Sequence, residues 1–306
     1  MSNSTEGFLQ WNDLTTWYRV VGAQNANPDM VPLFICHGGP GAGSDSNEPM
    51  TNLSREGRIT VLYDQVGCGR SQHLRDAPTD FWTLELFNME LKNLVAHLGL
   101  DRRYAVLGQS CGGMLALEHA LEQPEGLAAL VIADSMPSFP LWVQEADRLR
   151  QELPPEVEAT LRRHEADGTT DHPDYLAACQ VFYDRHLCRV EWPECLIRGQ
   201  AAMNADLTVY HAMNGPSEFH VIGSLKDWDI RDRLGEITVP TLLVSGLYDE
   251  ATPLLQEVLL DGLANAEWEL FTNSSHLPHI EEPEAWLDKV GEFLRRVDEG
   301  RGHGAY

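Results

Sequence analysis

Tyr104-Ala105-Val106-Leu107-Gly108-Gln109-Ser110-Cys111-Gly112-Gly113-Met114-Leu115-Ala116-Leu117-Glu118-His119-Ala120-Leu121 is the stretch on which the reading of this chain turns. Its first four residues form a short apolar run of strand type, and Met114 to Leu121 has the character of a helix. Between them stands Gly108-x-Ser110-x-Gly112. A tight strand-to-helix turn of this kind lifts a serine hydroxyl clear of a sheet, where a base can reach it. Such a turn needs crowded or positive backbone angles, so small residues must flank the serine. The five-residue pattern recurs by chance in many proteins; the strand before it and the helix after it give it meaning.

Further from the turn, the same alternation repeats. Val31 to Cys36, Ile59 to Tyr63 and Leu130 to Ala133 are continuous apolar runs, as expected of strands buried on both faces. Thr241 to Ser245 and Trp268 to Phe271 are two more strand candidates, and Gly7 to Trp11 with Thr16 to Val21 reads as an antiparallel opening pair. Phe87 to Leu98 carries apolar residues at helical spacing and stops at Gly99, and Glu284 to Val297 reads as a closing amphipathic helix. Strands alternating with helices predict an α/β protein with a mostly parallel, doubly wound sheet. From Met136 to about Arg233 the buried strand runs vanish. Charged helical segments with proline breaks replace them: 143–152, 156–165 and 174–189. The expected organisation is a core of residues 1–136 and 234–300, a helical cap inserted as 137–233, and a disordered tail at 301–306.

Composition sets outer bounds. With 306 residues, 43% of them hydrophobic, the chain can bury a sizeable core. A formal net charge of −25 disfavours nucleic-acid partners and anionic substrates, and it is compatible with cationic ones such as free amines; it equally serves solubility. Residues 1–11 lack a basic start and an apolar segment, and no run is long enough to span a bilayer, so a cytoplasmic protein without membrane partners is expected. No Cys-x-x-Cys pair occurs among the six cysteines, which are expected to be reduced thiols. No metal-binding spacing is present, and neither metal nor other cofactor is expected. Oligomeric state is left open.

A serine hydroxyl becomes a useful nucleophile only when a base removes its proton, and the base needs a third group to orient it. Asp249, in Gly246-Leu247-Tyr248-Asp249-Glu250, follows one buried strand, and His276, in Asn273-Ser274-Ser275-His276, follows the next. Both fall at the carboxyl ends of strands, the edge where open α/β sheets build their sites. Ser110, Asp249 and His276 are therefore the catalytic candidates. Asp134 is an alternative acid, His279 an alternative base and Cys111 an alternative nucleophile, while His37 reads as a brace for the loop that follows it. That loop, His37-Gly38-Gly39-Pro40-Gly41, can turn backbone N–H groups inward. Gly38, with Gly39 as the alternative, and Cys111 would supply an oxyanion hole.

These segments resemble the proline iminopeptidase family, serine aminopeptidases of the α/β-hydrolase fold, in which the triad runs in the order serine, acid, histidine. The matching stretches are His37 to Gly41, Tyr63-Asp64-Gln65-Val66-Gly67-Cys68-Gly69-Arg70-Ser71, the Ser110 turn, Gly246 to Glu250, Ser275-His276, Met213 to Phe219 and Lys226 to Asp229. The resemblance covers essentially the whole chain and is greatest to the tricorn-interacting branch. It also extends to actinobacterial relatives that remove an aminoacyl protecting group in macrolactam antibiotic biosynthesis. It implies Ser-His-Asp acyl-enzyme chemistry on an amide beside a free α-amine, in a peptide or a small aminoacylated molecule. A carboxylesterase is the alternative on the same fold.

The resemblance further assigns Glu218 and Glu250 to binding the substrate ammonium, since a buried cation needs partners. Read alone, both would be solvated surface glutamates. It implies a structural turn at 64–71 with Asp64 and Arg70 buried and paired. Many family members carry a bulky aromatic after the nucleophile; Cys111 here implies a reshaped pocket for the first residue. Phe139, Trp142, Phe182 and Tyr183 are candidate pocket-lining aromatics of the cap, and core packing accounts for them equally well.

Overall fold

The computed structural model describes residues 4–300, so the expectation for the 301–306 tail lies outside the described residues. Strands β1 (Ser4–Trp11) and β2 (Leu14–Val21) form a hairpin. Its two-residue turn, Asn12-Asp13, has positive φ at both positions (43° and 63°), the turn that suits the strand twist. Strands β3 (Leu33–Cys36), β4 (Thr60–Tyr63), β5 (Tyr104–Gln109), β6 (Leu127–Ala133), β7 (Thr241–Gly246) and β8 (Ala266–Phe271) complete one eight-stranded sheet. The order is β1-β2-β4-β3-β5-β6-β7-β8; only the β1–β2 and β2–β4 pairs are antiparallel.

Alternate residues of the central strands feed two cores, because successive side chains point to opposite faces. Phe34, Val61, Val106, Leu130 and Leu243 pack with Leu91 and Leu94 of α1 (Leu84–His97), Met114 and Leu117 of α2 (Cys111–Leu121), and helix residues Leu255 and Leu259. Leu33, Ile35, Leu62, Leu107, Val131, Leu242 and Val244 pack on the other face against Trp286, Val290, Phe293 and Leu294. Truncating Phe293 to alanine would cost about 3–5 kcal/mol. Helix α1 begins where the Thr83 hydroxyl accepts the Leu86 N–H at 3.1 Å.

Between β6 and β7 lie five helices: α3 (Phe139–Arg150), α4 (Pro155–Asp167), α5 (Pro173–His186), α6 (Glu194–Ala205) and α7 (Thr208–Met213). The chain leaves and returns side by side, with the Ile230 N–H donating to the Pro137 carbonyl at 3.0 Å. Leu149, Leu161, Tyr175, Phe182 and Phe219 make a separate small core. Buried Arg150 braces it by bonding Glu158 at 2.9 Å and Glu165 at 3.0 Å. Only the first three of these helices were expected. The fourth buries just Leu196 and Gly199, so it carries no apolar stripe to read. Two helices follow β7 and β8: α8 (Pro253–Gly262), also unanticipated, and α10 (Pro283–Asp298), with the short α9 (Pro278–Glu281) before the latter. No helix among the described residues is long and apolar enough to cross a membrane.

Candidate active site

Ser110 stands between β5 and α2 with φ 55° and ψ −124°, so the strain of the turn falls on the serine itself. The glycines around it serve a different need from the one expected: they clear space. A Cβ on Gly108 would lie 2.1 Å from the Gly112 carbonyl oxygen, and one on Gly112 would lie 2.2 Å from that of Cys36. This close approach lets α2 start directly over β3 and β5. Gly246 does the same at the end of β7, where a Cβ would come within 2.1 Å of the Ser275 carbonyl oxygen. Loop 247–250 is thereby drawn against loop 273–276.

Those two loops carry Asp249 and His276, the acid and base candidates. His276 Nδ1 is 2.7 Å from Asp249 Oδ1, and the Ala251 N–H donates to that same oxygen at 2.7 Å. Asp249 is 1% exposed and His276 3%. The Nε2 edge of His276 faces Glu250, with Oε1 at 3.8 Å. Burial pulls the imidazole pKa down, but Asp249, Glu250 and Glu218 together outweigh it and raise it to about 9. Trp142 of α3 lies edge-on to His276, with ring centroids 6.3 Å apart.

Ser110, His276, Glu218, Glu250, Gly38 and Gly39 line one cavity of about 90 Å³. Neither lysine nor arginine is among its lining residues. The Tyr210 hydroxyl donates to Glu218 Oε1 at 2.7 Å, and the Trp142 indole N–H donates to the Glu218 carbonyl at 2.7 Å. Burial raises the pKa of Glu218, and raises that of Glu250 well above the usual carboxylate range. Glu250 is 1% exposed, so a solvated surface role is excluded for it. Leu187, Gln200, Met203 and Glu218 are shared with a second chamber of about 470 Å³ under α5, α6 and α7. Its other walls include Leu176, Tyr183, Trp192 and Leu207.

The remaining candidates separate cleanly. His37 is buried; its Nε2 accepts the Gln65 N–H at 3.0 Å and its Nδ1 bonds the Gly38 carbonyl at 2.8 Å, so it ties the glycine loop to the 64–71 turn. His279 points away, bonding the Ser46 carbonyl at 3.1 Å, and burial lowers its pKa to about 4. Burial pushes the Cys111 thiol far up, and its Sγ packs 3.6 Å from Met114 Sδ, so the thiol is inert while its backbone N–H opens α2 beside Ser110. Asp134 is buried beside Asp249 and does not bond His276. Asp64 and Arg70 pair at 2.8 Å, but the Arg70 side chain is 35% exposed and stacks over Trp17, so only the acid is buried. Of the four cap aromatics, Tyr183 alone lines a chamber; Phe139, Trp142 and Phe182 are core residues. Sequence reasoning missed Tyr210, which lies three residues before the matching 213–219 stretch, and the support that Trp142 gives to Glu218. His164, His172 and Asp174 also lie together in the α4–α5 turn, but the ring nitrogens of His164 are engaged by Thr169 and Arg163, leaving no free ligand atom on it.

Residues 31–283 match the alpha/beta hydrolase fold family, and the sheet order and the serine turn define the protein as a hydrolase of that class. The chain is 35% identical to a proline iminopeptidase of Lactobacillus helveticus over 298 residues, 96% of this chain and 99% of that one. The crystal structure of proline iminopeptidase from Mycobacterium smegmatis superposes with a TM-score of 0.90 at 44% identity, covering 97% of this chain and 99% of that one. The crystal structure of VinJ superposes with a TM-score of 0.92 at 43% identity, covering 96% and 99%. The chain belongs to the proline iminopeptidase family, and it is a serine aminopeptidase.

Proposed function

We propose that the protein removes an aminoacyl group bearing a free α-amine from a small amide, with Ser110 as nucleophile, His276 as general base and acid, and Asp249 as the group that orients it. The observation that carries this reading is the pair Glu218 and Glu250 on the wall of a cavity with no basic side chain but His276. Two raised carboxyls in a small cleft are a costly arrangement until a cation enters, and a substrate ammonium is that cation. Its position fixes the scissile carbonyl one atom further on, against Ser110. The serine attacks, His276 takes its proton, and the Gly38 and Cys111 amides receive the oxyanion. His276 then delivers the proton to the leaving amine, and water releases the acyl group.

The free enzyme holds His276 among three acids, which favours the imidazolium. An ammonium between Glu218 and Glu250 offsets one of those negative charges and so shifts His276 toward the neutral base. Substrate charge thus supports turnover as well as binding. Residues 137–233 act as a cap that bars folded proteins, in keeping with a cytoplasmic enzyme for small peptides. The chamber beyond Glu218 favours a second reading, an aminoacylated small molecule with an apolar leaving group, as in aminoacyl protecting-group removal. Hydrolysis of alanyl and prolyl p-nitroanilides, each with a free or N-acetylated amine, beside p-nitrophenyl acetate, tests the proposal. Turnover confined to the free-amine anilides is expected; equal turnover of the acetylated compounds would overturn the amine-directed reading.

A further inference from the structure

Asp134 is the one residue singled out from the sequence as a possible catalytic acid that the triad leaves unused. It directly follows β6, as Asp249 follows the neighbouring strand β7, and its N–H donates to the Val244 carbonyl at 2.8 Å, continuing the ladder between the two. Its φ of 52° turns the side chain out of the strand direction, a conformation that Asp and Asn tolerate better than other non-glycine residues. It is fully buried, and its carboxyl meets that of Asp249.

Neither oxygen of Asp134 receives an N–H or O–H from the described residues, and neither does Asp249 Oδ2. Two acceptor-only groups therefore face each other out of reach of water, each with unmet hydrogen-bonding capacity, an arrangement that one proton resolves. We propose that Asp134 is a positioning residue of the triad: it keeps its proton and donates a hydrogen bond to Asp249 Oδ2.

The neighbours of each carboxyl decide which one holds the proton. Asp249 Oδ1 already accepts from His276 Nδ1 and from the Ala251 amide, so the available donors meet Asp249 and none meets Asp134. Asp134 faces no cation. Around it stand Asp249 and Glu281, and the Gly246 backbone N–H approaches its carboxyl without completing a hydrogen bond. Glu281 is already engaged by the Ser275 N–H at 2.7 Å and the Ser275 hydroxyl at 3.0 Å. Burial, and then Asp249, push the Asp134 pKa well above the carboxylate range. The consequence is mechanical: a donor on Oδ2 stops the Asp249 carboxylate from rotating and keeps Oδ1 on the imidazole. This proposal rests on the Asp249–His276 pair serving as proposed above, and it can fail while that pair stands.

Asp134→Asn and Asp134→Gly separate the roles. Asparagine is a neutral donor of the same shape. Glycine accepts the left-handed backbone and removes the donor. With a free-amine aminoacyl p-nitroanilide, Asp134→Asn is expected to keep kcat within about threefold and to leave the kinetic pKa of the base unmoved. Asp134→Gly is expected to lose about 10-fold in kcat with KM unchanged. A fall of about one unit or more in the kinetic pKa of Asp134→Asn would mean that a negative charge had been removed, and would overturn the proposal. Wild-type kcat in Asp134→Gly would overturn it equally. If the glycine variant does not fold, the low-field proton resonance of His276 Nδ1 decides in Asp134→Asn: it is expected to persist unshifted, and its loss would overturn the proposal. Inactivity of Asp249→Ala together with unaffected Asp134 variants would sink this inference alone.

Discussion

The sheet edge and the helical insertion contribute to the same cavity by different physical means. Ser110, Asp249 and His276 each sit within a few residues of a strand end, so ladder register and close glycine contacts fix their backbones. Glu218 lies in an irregular segment after α7, and side-chain bonds hold it: Tyr210 to its carboxylate and Trp142 to its carbonyl. The comparison teaches that the proposed nucleophile and base are held by the main chain, whereas the proposed amine-binding wall depends on a few side chains. Changes at the edge should therefore abolish chemistry, and changes in the insertion should alter which substrate is served.

The largest effect is expected at the edge. Ser110→Ala should lower kcat by roughly 10⁴-fold or more, with the residual rate coming from binding and the oxyanion donors. Steady-state kinetics on an alanyl anilide check this, and a fall of less than about tenfold would move the nucleophile elsewhere. Next comes the wall. Glu250→Gln or Glu218→Gln should cost roughly 10²-fold or more in kcat/KM on free-amine substrates, since a buried ammonium loses a charged partner. Ester turnover should change far less; equal losses on both would erase the distinction between edge and wall.

The same two variants carry a pH signature. Each removes an anion near the imidazolium, which raises the free energy of the charged form, so the kinetic pKa of His276 should fall below its starting value near 9. The rising limb of kcat/KM should then move toward lower pH. Unmoved profiles in both variants would show that the wall and the base are electrically independent.

A smaller effect tests what braces the wall. Tyr210→Phe removes one hydrogen bond to a carboxylate and should cost about 10-fold in kcat/KM on amines, mostly through KM. The smallest concerns the second chamber. Met203→Phe, which narrows the passage shared by the two cavities, should leave a small anilide within about threefold while impairing long apolar leaving groups. Uniform loss across leaving groups would detach that chamber from substrate binding.

Legibility followed the same division. The central strands were readable because burial on both faces demands continuous apolar runs, and the Ser110 turn was readable because its glycines are forced by contact. Helix α6 was not, because it rests on the 45–54 segment with little apolar surface and so leaves no periodic trace. Pocket aromatics stayed open between two readings for a related reason: an aromatic in a helix looks the same in sequence whether it faces a cavity, as Tyr183 does, or a core. Phe139, Trp142 and Phe182 face cores.

Sequence by itself determined the alternation of strands and helices, the turn that presents Ser110, and the order of serine, acid and histidine, since each is local chemistry repeated at strand ends. Only the tertiary structure decided that Asp249 rather than Asp134 meets His276, that Asp134 lies against Asp249 instead, and that Glu218 and Glu250 share a wall. Those are contacts between segments distant along the chain. They depend on which loop reaches across the sheet edge and which group burial leaves without water, and no spacing along a sequence encodes that.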